Sequence, residues 1–567
     1  MRRFLEFIFL SVLVIITSSC NRDEVLTADL PEIIIEGDGI FSVEVGEEIR
    51  LAPDYRNSDG ATFEWRIGDD VVGTERAYIF MAEEAGEVYI TITVTTDAGN
   101  DSEELRIDVT EPDTPAIDIL MEDITVAVGF KQTITATVRK SEHECEISWS
   151  INDEEVATDV ESIEFEATEV GTYHIVAIAS NPHGEASDSV TIEVVNAEDL
   201  DLIYEFEATE YHITEGRTLI IRPSAINKSE GVTFLWILDG EEQGADTNMP
   251  HFLFNSSEVG THTLEVKATT YINTPCEVSH TFTIEVIEEG KYRRERTAAS
   301  ASVFSQVVEY LPAPGQFIGD MKTGGFTGEE LTAEHARAYA EKRLHQNNWV
   351  SLGAFGGSIV VVFDHSIANN DDYDFAIKGN SFDGSSEPGI VWVMQDENGN
   401  GLADDTWYEL KGSETGLDTT YQEYEVTYYR PTSSGMPVGW TDNRGESGTV
   451  DYLASFHNQP SYYPTWITED SYTLRGTRLE ARNYDRSGNG SMWVQPAYDW
   501  GYADNASERD CIDAVNSFDI ANAIDAMGQS VELDYIDFVK VQSAVQAKSG
   551  WLGELSTEVC NFVEIVK

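Results

Sequence analysis

Two stretches, Phe63-Glu64-Trp65-Arg66-Ile67 and Val88-Tyr89-Ile90-Thr91-Ile92-Thr93-Val94, decide how this chain is built. In the second, apolar residues fall on alternate positions, the pattern of a strand with one buried face. The first places a tryptophan inside an equally short strand. The pair recurs. Ile147-Ser148-Trp149-Ser150-Ile151 and Phe234-Leu235-Trp236-Ile237-Leu238 repeat the tryptophan strand, at spacings of 84 and then 87 residues. Alternating strands follow at Val170-Gly171 and Val259-Gly260, as they do at Ala85-Gly86. Each unit ends in another such strand, for example Val190-Thr191-Ile192-Glu193-Val194. Many short strands per unit and one central Trp describe an immunoglobulin-like β-sandwich. Each Trp is read as a core residue rather than a ligand platform.

These repeats resemble PKD-like modules of bacterial surface proteins, which implies a spacer without chemistry of its own. The boundaries read as 31–112, 113–197 and 198–288. Charge fits a solvated, self-repelling spacer. The chain carries 35 Lys+Arg against 103 Asp+Glu, a formal net charge of −68, and residues 141–216 contain no Lys or Arg. Such a surface repels nucleic acid and anionic headgroups, so both are excluded as partners. Lys291 to Arg296 then forms a basic knot, read as a solvated linker over residues 289–300, with a contact to the acidic modules as the alternative.

Upstream of the repeats, Met1-Arg2-Arg3 precedes an apolar run over residues 4–17, too short to span a membrane, and then Thr17-Ser18-Ser19-Cys20. This is an export signal over residues 1–19. Its end resembles the lipobox of bacterial lipoproteins, although Thr17 stands where Leu is usual. The resemblance implies diacylation at Cys20, with residues 20–30 as a tether, and a lipid anchor strong enough for stable attachment. Asn21-Arg22-Asp23-Glu24 resembles the surface-export signal of lipoproteins from Gram-negative gut anaerobes. The expected location is therefore the outer membrane, lipid-anchored and facing outward. Of the remaining cysteines, Cys145 and Cys276 are isolated. Cys511 and Cys560 read either as a disulfide or as two free thiols.

From residue 301 the character changes, and eight of the 11 Trp lie beyond this point. Thr327-Gly328-Glu329-Glu330 looks like a capping box, with one helix expected over 331–346. Strands are expected around 358–363, 373–377, 391–393, 424–428 and 536–541. The whole reads as all-β: three immunoglobulin-like sandwiches and a jelly-roll-like β-sandwich with long loops and one short helix.

Three features of this last domain are candidate sites. In Asp396-Glu397-Asn398-Gly399-Asn400-Gly401-Leu402-Ala403-Asp404 the oxygen side chains of Asp396, Asn398, Asn400 and Asp404 take positions 1, 3, 5 and 9 of a calcium loop, with Gly401 at 6. Position 12 is Trp407, so the usual bidentate Glu is missing. A plain Asn-Gly turn is the competing reading. The second candidate is an aromatic-polar stretch holding Trp440, Asp442, Asn443, Tyr462, Tyr463, Trp466, Tyr498, Trp500 and Tyr502, suited to sugars or a planar macrocycle, with core plugs under long loops as the competing reading of each aromatic. Trp392, Trp407 and Trp493 read instead as core. The third is His457, a surface imidazole or an axial ligand for cobalt. No HExxH, GxSxG, P-loop or dinucleotide fingerprint is present, so a binding protein is expected, not an enzyme, with no organic cofactor.

Four stretches carry a further resemblance: Asp404-Asp405-Thr406-Trp407-Tyr408-Glu409-Leu410, Phe456-His457-Asn458-Gln459-Pro460-Ser461-Tyr462-Tyr463-Pro464, Tyr498-Asp499-Trp500-Gly501-Tyr502-Ala503-Asp504-Asn505 and Gly550-Trp551-Leu552-Gly553-Glu554. They are similar to the C-terminal domain of surface lipoproteins from cobalamin-uptake loci of gut Gram-negative bacteria. The resemblance implies cobalamin as ligand and an outer-membrane TonB-dependent transporter as partner. A glycan-binding or glycan-processing surface protein, and an adhesin or scaffold, are the alternatives.

Overall fold

The protein, described by a computed structural model, is defined over residues 30–35, 39–110, 114–139, 144–227, 231–244, 247–270, 276–454 and 459–566. The lipobox with Cys20, and His457, lie outside the described residues. Among those described, no helix is long and apolar enough to cross a membrane.

The repeat is expressed as three similar sandwiches. In each, the tryptophan strand sits inside a five-stranded sheet. In the first module its order is Ile40–Glu44, Gly99–Thr110, Gly86–Thr96, Thr62–Ile67, Asp70–Gly73, with the outermost pair parallel and the rest antiparallel. Trp65, Trp149 and Trp236 are fully buried. Each indole N–H donates to a backbone carbonyl (Glu75, Val160 and Met249) at 2.9 Å, so burial leaves no unpaired donor. The glycine that opens the long strand has φ +142°, +154° and +151° at Gly86, Gly171 and Gly260, a backbone region in which side chains are strained.

The chain divides into two compact units, residues 1–113 and 114–567. In the second unit modules two and three are not free-standing solvated spacers: both contact the C-terminal domain. Asp118 of module two accepts the backbone N–H and hydroxyl of Thr432, and Leu120 fills the space where Gly439 lacks a Cβ. Arg217 of module three is buried against Glu397, Gln395 and Glu289. The basic knot keeps Lys291, Arg293 and Arg296 exposed but is also tied to the C-terminal domain. Arg294 donates to Asp537 at 2.9 Å and to the Phe363 carbonyl at 2.8 Å, Arg296 pairs with Glu564, and Tyr292 packs on Gly399.

The C-terminal domain is an antiparallel β-sandwich. A six-stranded sheet runs in the order Gln306–Leu311, Ser358–Ala368, Tyr535–Ser543, Gly389–Met394, Trp407–Leu410, Ala523–Ile524. Its inner face shares one core with two four-stranded sheets, through residues such as Val361, Val391, Val541, Phe375 and Tyr428. The single α-helix among the described residues is Ala333–His345, capped by the Thr332 hydroxyl, which accepts from the His335 N–H. Thr327 and Glu330 do bond to each other, but ahead of the helix, so they are not its cap.

Candidate functional site

The aromatics expected to bind a ligand are mostly structural. Tyr462, Tyr463, Trp466, Tyr498 and Tyr502 are all buried in the domain core. The four phenols are satisfied inside: Tyr463 and Tyr498 donate to the carbonyls of Glu469 and Glu480, while Tyr462 and Tyr502 accept from the N–H groups of Leu453 and Glu414. A ring enclosed on both faces offers no platform, which corrects that assignment. Trp440 is half-buried and packs against the same core. Asp442 holds a turn and accepts from Tyr424, and Asn443 donates to the Glu423 carbonyl. Trp500 is half-buried under the Arg509 guanidinium. These residues do not meet at one site. Cys511 and Cys560 are free thiols; Cys560 is buried and burial pushes its thiol up to about 11.

The loop 396–404 brings three of its four candidates together, Asn398, Asn400 and Asp404, while Asp396 holds the turn through backbone N–H groups. Asp396 accepts the N–H groups of Gly399 and Gly401 at 2.7 and 3.0 Å, and the amides of Asn398 and Asn400 both donate to Asp404. Gly401 stands at φ +74°, the sharp turn that position 6 requires. The donor set, two carboxylates and two amide oxygens, suits a hard cation.

Two cavities carry more. The first, of about 310 Å³, lies between module three and the outer face of the six-stranded sheet. Its floor holds Lys540, whose ammonium sits 5.0 Å from the Trp392 ring centroid and 4.5 Å from that of Trp407. These two tryptophans, expected in the core, are half-buried and line this cavity. Trp493, also expected in the core, is half-buried as well, and its N–H lies against Gly550. Glu409 on the same floor accepts from Thr477.

The second cavity is a cleft of about 370 Å³ in the C-terminal domain. Aromatic side chains line it: Trp551 from the short turn Gly550–Leu552, 48% exposed, Trp349, and Phe317, whose ring meets Trp349 edge-on at 5.1 Å. Carboxylates, amides and hydroxyls line most of the rest: Glu387, Glu554 and Glu558 with Gln316, Asn380, Gln495 and Ser556, and Asp504 accepts the Glu558 N–H. Glu554 accepts the Gln316 N–H at 2.8 Å, and burial lifts its carboxyl to about 7. Burial, and then the charges of its neighbours, also raises Glu387 and Glu558. One of the four resembling stretches lines this cleft, through Trp551, Leu552 and Glu554, and two more bond to its lining residues: Asp504 accepts the Glu558 N–H and Gln459 donates to the Gln316 carbonyl. The fourth stretch, around Trp407, lines the other cavity. The sequence signal for the cleft was Gly550-Trp551-Leu552-Gly553-Glu554: an indole on a glycine-flanked turn beside a carboxylate.

Residues 31–96 match the family model of the PKD-like domain. No curated protein matches the chain. Among solved structures, the I-band fragment I67–I69 of titin is 15% identical, covers 46% of this chain and 98% of its own, and has a TM-score of 0.21. Three N-terminal domains of the outer capsid protein Hoc of bacteriophage RB49 are 15% identical, with coverage of 46% and 100% and a TM-score of 0.22. Fibronectin(III)-like modules of Clostridium thermocellum CbhA are 17% identical, with coverage of 30% and 97% and a TM-score of 0.15. At these scores the likenesses carry no argument about function.

Proposed function

We propose that this chain is a surface lipoprotein whose C-terminal domain captures a corrinoid in the Trp349–Trp551 cleft and passes it to an outer-membrane TonB-dependent transporter. One observation carries the reading: the stretch Gly550 to Glu554, which resembles cobalamin-locus lipoproteins, lines a cleft with an aromatic rim and an acceptor-rich floor, and Asp504 and Gln459 of two more such stretches bond to its lining residues. A corrinoid presents what such a cleft takes. Its macrocycle has flat apolar faces for indoles, and its edge carries carboxamide N–H donors for carboxylate and amide oxygens. In this reading His457 ligates the cobalt. Calcium at Asp396, Asn398, Asn400 and Asp404 is structural, pinning the loop on which Tyr292 packs.

The test is spectroscopic titration of the full chain with cyanocobalamin. Saturable binding is expected, and Trp551→Ala weakens it about tenfold or more, the ~2 kcal/mol scale of a truncated interfacial tryptophan. His457→Ala alters the absorption spectrum of the bound corrinoid. No cobalamin binding by the wild-type chain sinks the proposal. A glycan-array response with no cobalamin response transfers the cleft to sugar recognition, which indoles above carboxylates also serve.

A further inference from the structure

We infer that the floor of this cleft is a site for a hard divalent cation of the calcium class, held by Glu387, Asp504 and Glu558, beside the buried carboxyl of Glu554. The inference stands apart from the corrinoid reading, since it concerns the ion alone. One carboxylate oxygen from each of Glu387, Asp504 and Glu558 lies within 4.8 Å of the others, the spacing at which a single ion touches all three. Glu554 supplies a second, independent observation. Its side chain is 5% exposed, it lines the same cleft, and its Oε2 has no hydrogen-bond partner. A buried carboxylate oxygen without a donor is costly and calls for a cation or a proton.

The donors are held in place before any ion arrives. Asp504 accepts the backbone N–H groups of Asn380 and Ser381 at 2.8 Å and of Glu558 at 3.0 Å. The chain at Gly379 comes so close that a Cβ there would lie 2.3 Å from Asp504 Oδ1. Glu558 accepts the Ser556 hydroxyl, and Glu387 accepts the Gln495 amide at 3.3 Å. Each bond uses one lone pair and leaves others for an ion. Among the described residues that line the cleft, none is Lys, Arg or His, so no side chain there balances the carboxylates. An all-oxygen, irregular, carboxylate-rich set favours calcium over magnesium, which demands a regular octahedron, and over softer metals, which take nitrogen or sulfur.

Terbium stands in for calcium in the test, because Trp349 and Trp551 line the cleft and can sensitise its emission. The full chain should give saturable, tryptophan-excited terbium emission that calcium displaces, together with a calcium heat in calorimetry. In an Asp396→Ala background, which removes the 396–404 loop as a second calcium site, Glu387→Gln with Glu558→Gln should weaken both at least tenfold, with the melting transition showing that the variant is folded. Emission and calcium heat left unchanged by the two Gln substitutions in that background overturn the site. So does a chain that shows neither emission nor calcium heat, whose carboxyls then hold protons only.

Discussion

Arg217→Ala should destabilise the second unit by about 3–5 kcal/mol, the cost of removing one partner of a buried ion pair. Arg217 is 7% exposed and Glu397 1%. Glu397 Oε1 accepts from the Thr214 N–H at 2.8 Å, the Thr214 hydroxyl at 2.7 Å and Arg217 Nη1 at 3.4 Å. Burial already lifts its carboxyl to about 7, and the charge of Arg217 pulls the other way. With the guanidinium gone, Glu397 stays enclosed with no counter-charge and Gln395 Oε1 loses its donor. Module three should then come loose from the C-terminal domain. The readout lies in the basic knot that joins them. Arg294 is tied to Asp537 and Phe363, and trypsin should cut after Arg293, Arg294 or Arg296 far faster in the variant. Combining Arg217→Met with Glu397→Gln should recover much of the loss, because the buried charge is removed while the Thr214 bonds keep an acceptor. A single variant within ~1 kcal/mol of wild type in urea unfolding, with the wild-type tryptic pattern, would refute the argument.

That interlock explains what could be read in the sequence and what could not. The modules were legible because their determinants are local: alternation over seven residues, a central Trp, a glycine whose φ few residues share. Docking is not local. Thr214 and Glu397 are 183 positions apart, and neither stands out in a chain with 103 acids. Aromatics mislead for a related reason. In sequence, Tyr498 and Tyr502 sit among Asp, Gly and Asn and look like loop platforms. In space the polar neighbours serve the rings: the Glu480 carbonyl and the Glu414 N–H meet the two phenols, so irregular backbone becomes core. Trp392 and Trp407 err in the opposite sense. Their strand setting suggests interior, but they lie on the outer face of a sheet whose cover is another module. The cleft itself was foreshadowed only by wording, through Trp551 and Glu554, because its walls come from segments as distant as Phe317 and Glu558.

The cavity under module three should also give the second unit a stability minimum between about pH 7 and pH 8. Two groups on its floor titrate in opposite senses. Burial is the main cause for both: it raises Glu409 from 4.5 to about 7 and lowers Lys540 from 10.5 to about 8. The Thr477 hydrogen bond and the Lys540 charge oppose the rise of Glu409, and Glu423 adds to it. Glu309 and Glu409 resist the fall of Lys540. Asp404, Asp405, Asp525, His212, Arg222 and Arg475 also face the cavity. Between pH 4.5 and about 7 the folded chain keeps the Glu409 proton that the unfolded chain has lost. Stability therefore falls as pH rises through that window, by roughly 3 kcal/mol at most for a shift of this size. Between about pH 8 and 10.5 the unfolded chain keeps the Lys540 proton that the folded chain has lost, and stability rises again. Other buried acids share the descending limb, so the measurement is a difference between urea-unfolding free energies of wild type and variant across pH. Glu409→Gln should remove part of the descending limb and leave the ascending one. Lys540→Met, which keeps an apolar stem between the two indoles, should remove the ascending limb and move the Glu409 limb to higher pH, because a favourable charge is gone. Wild type and Glu409→Gln running parallel from pH 4.5 to 7 would show that Glu409 does not titrate with folding. The cavity floor would then be a charged pair at all these pH values.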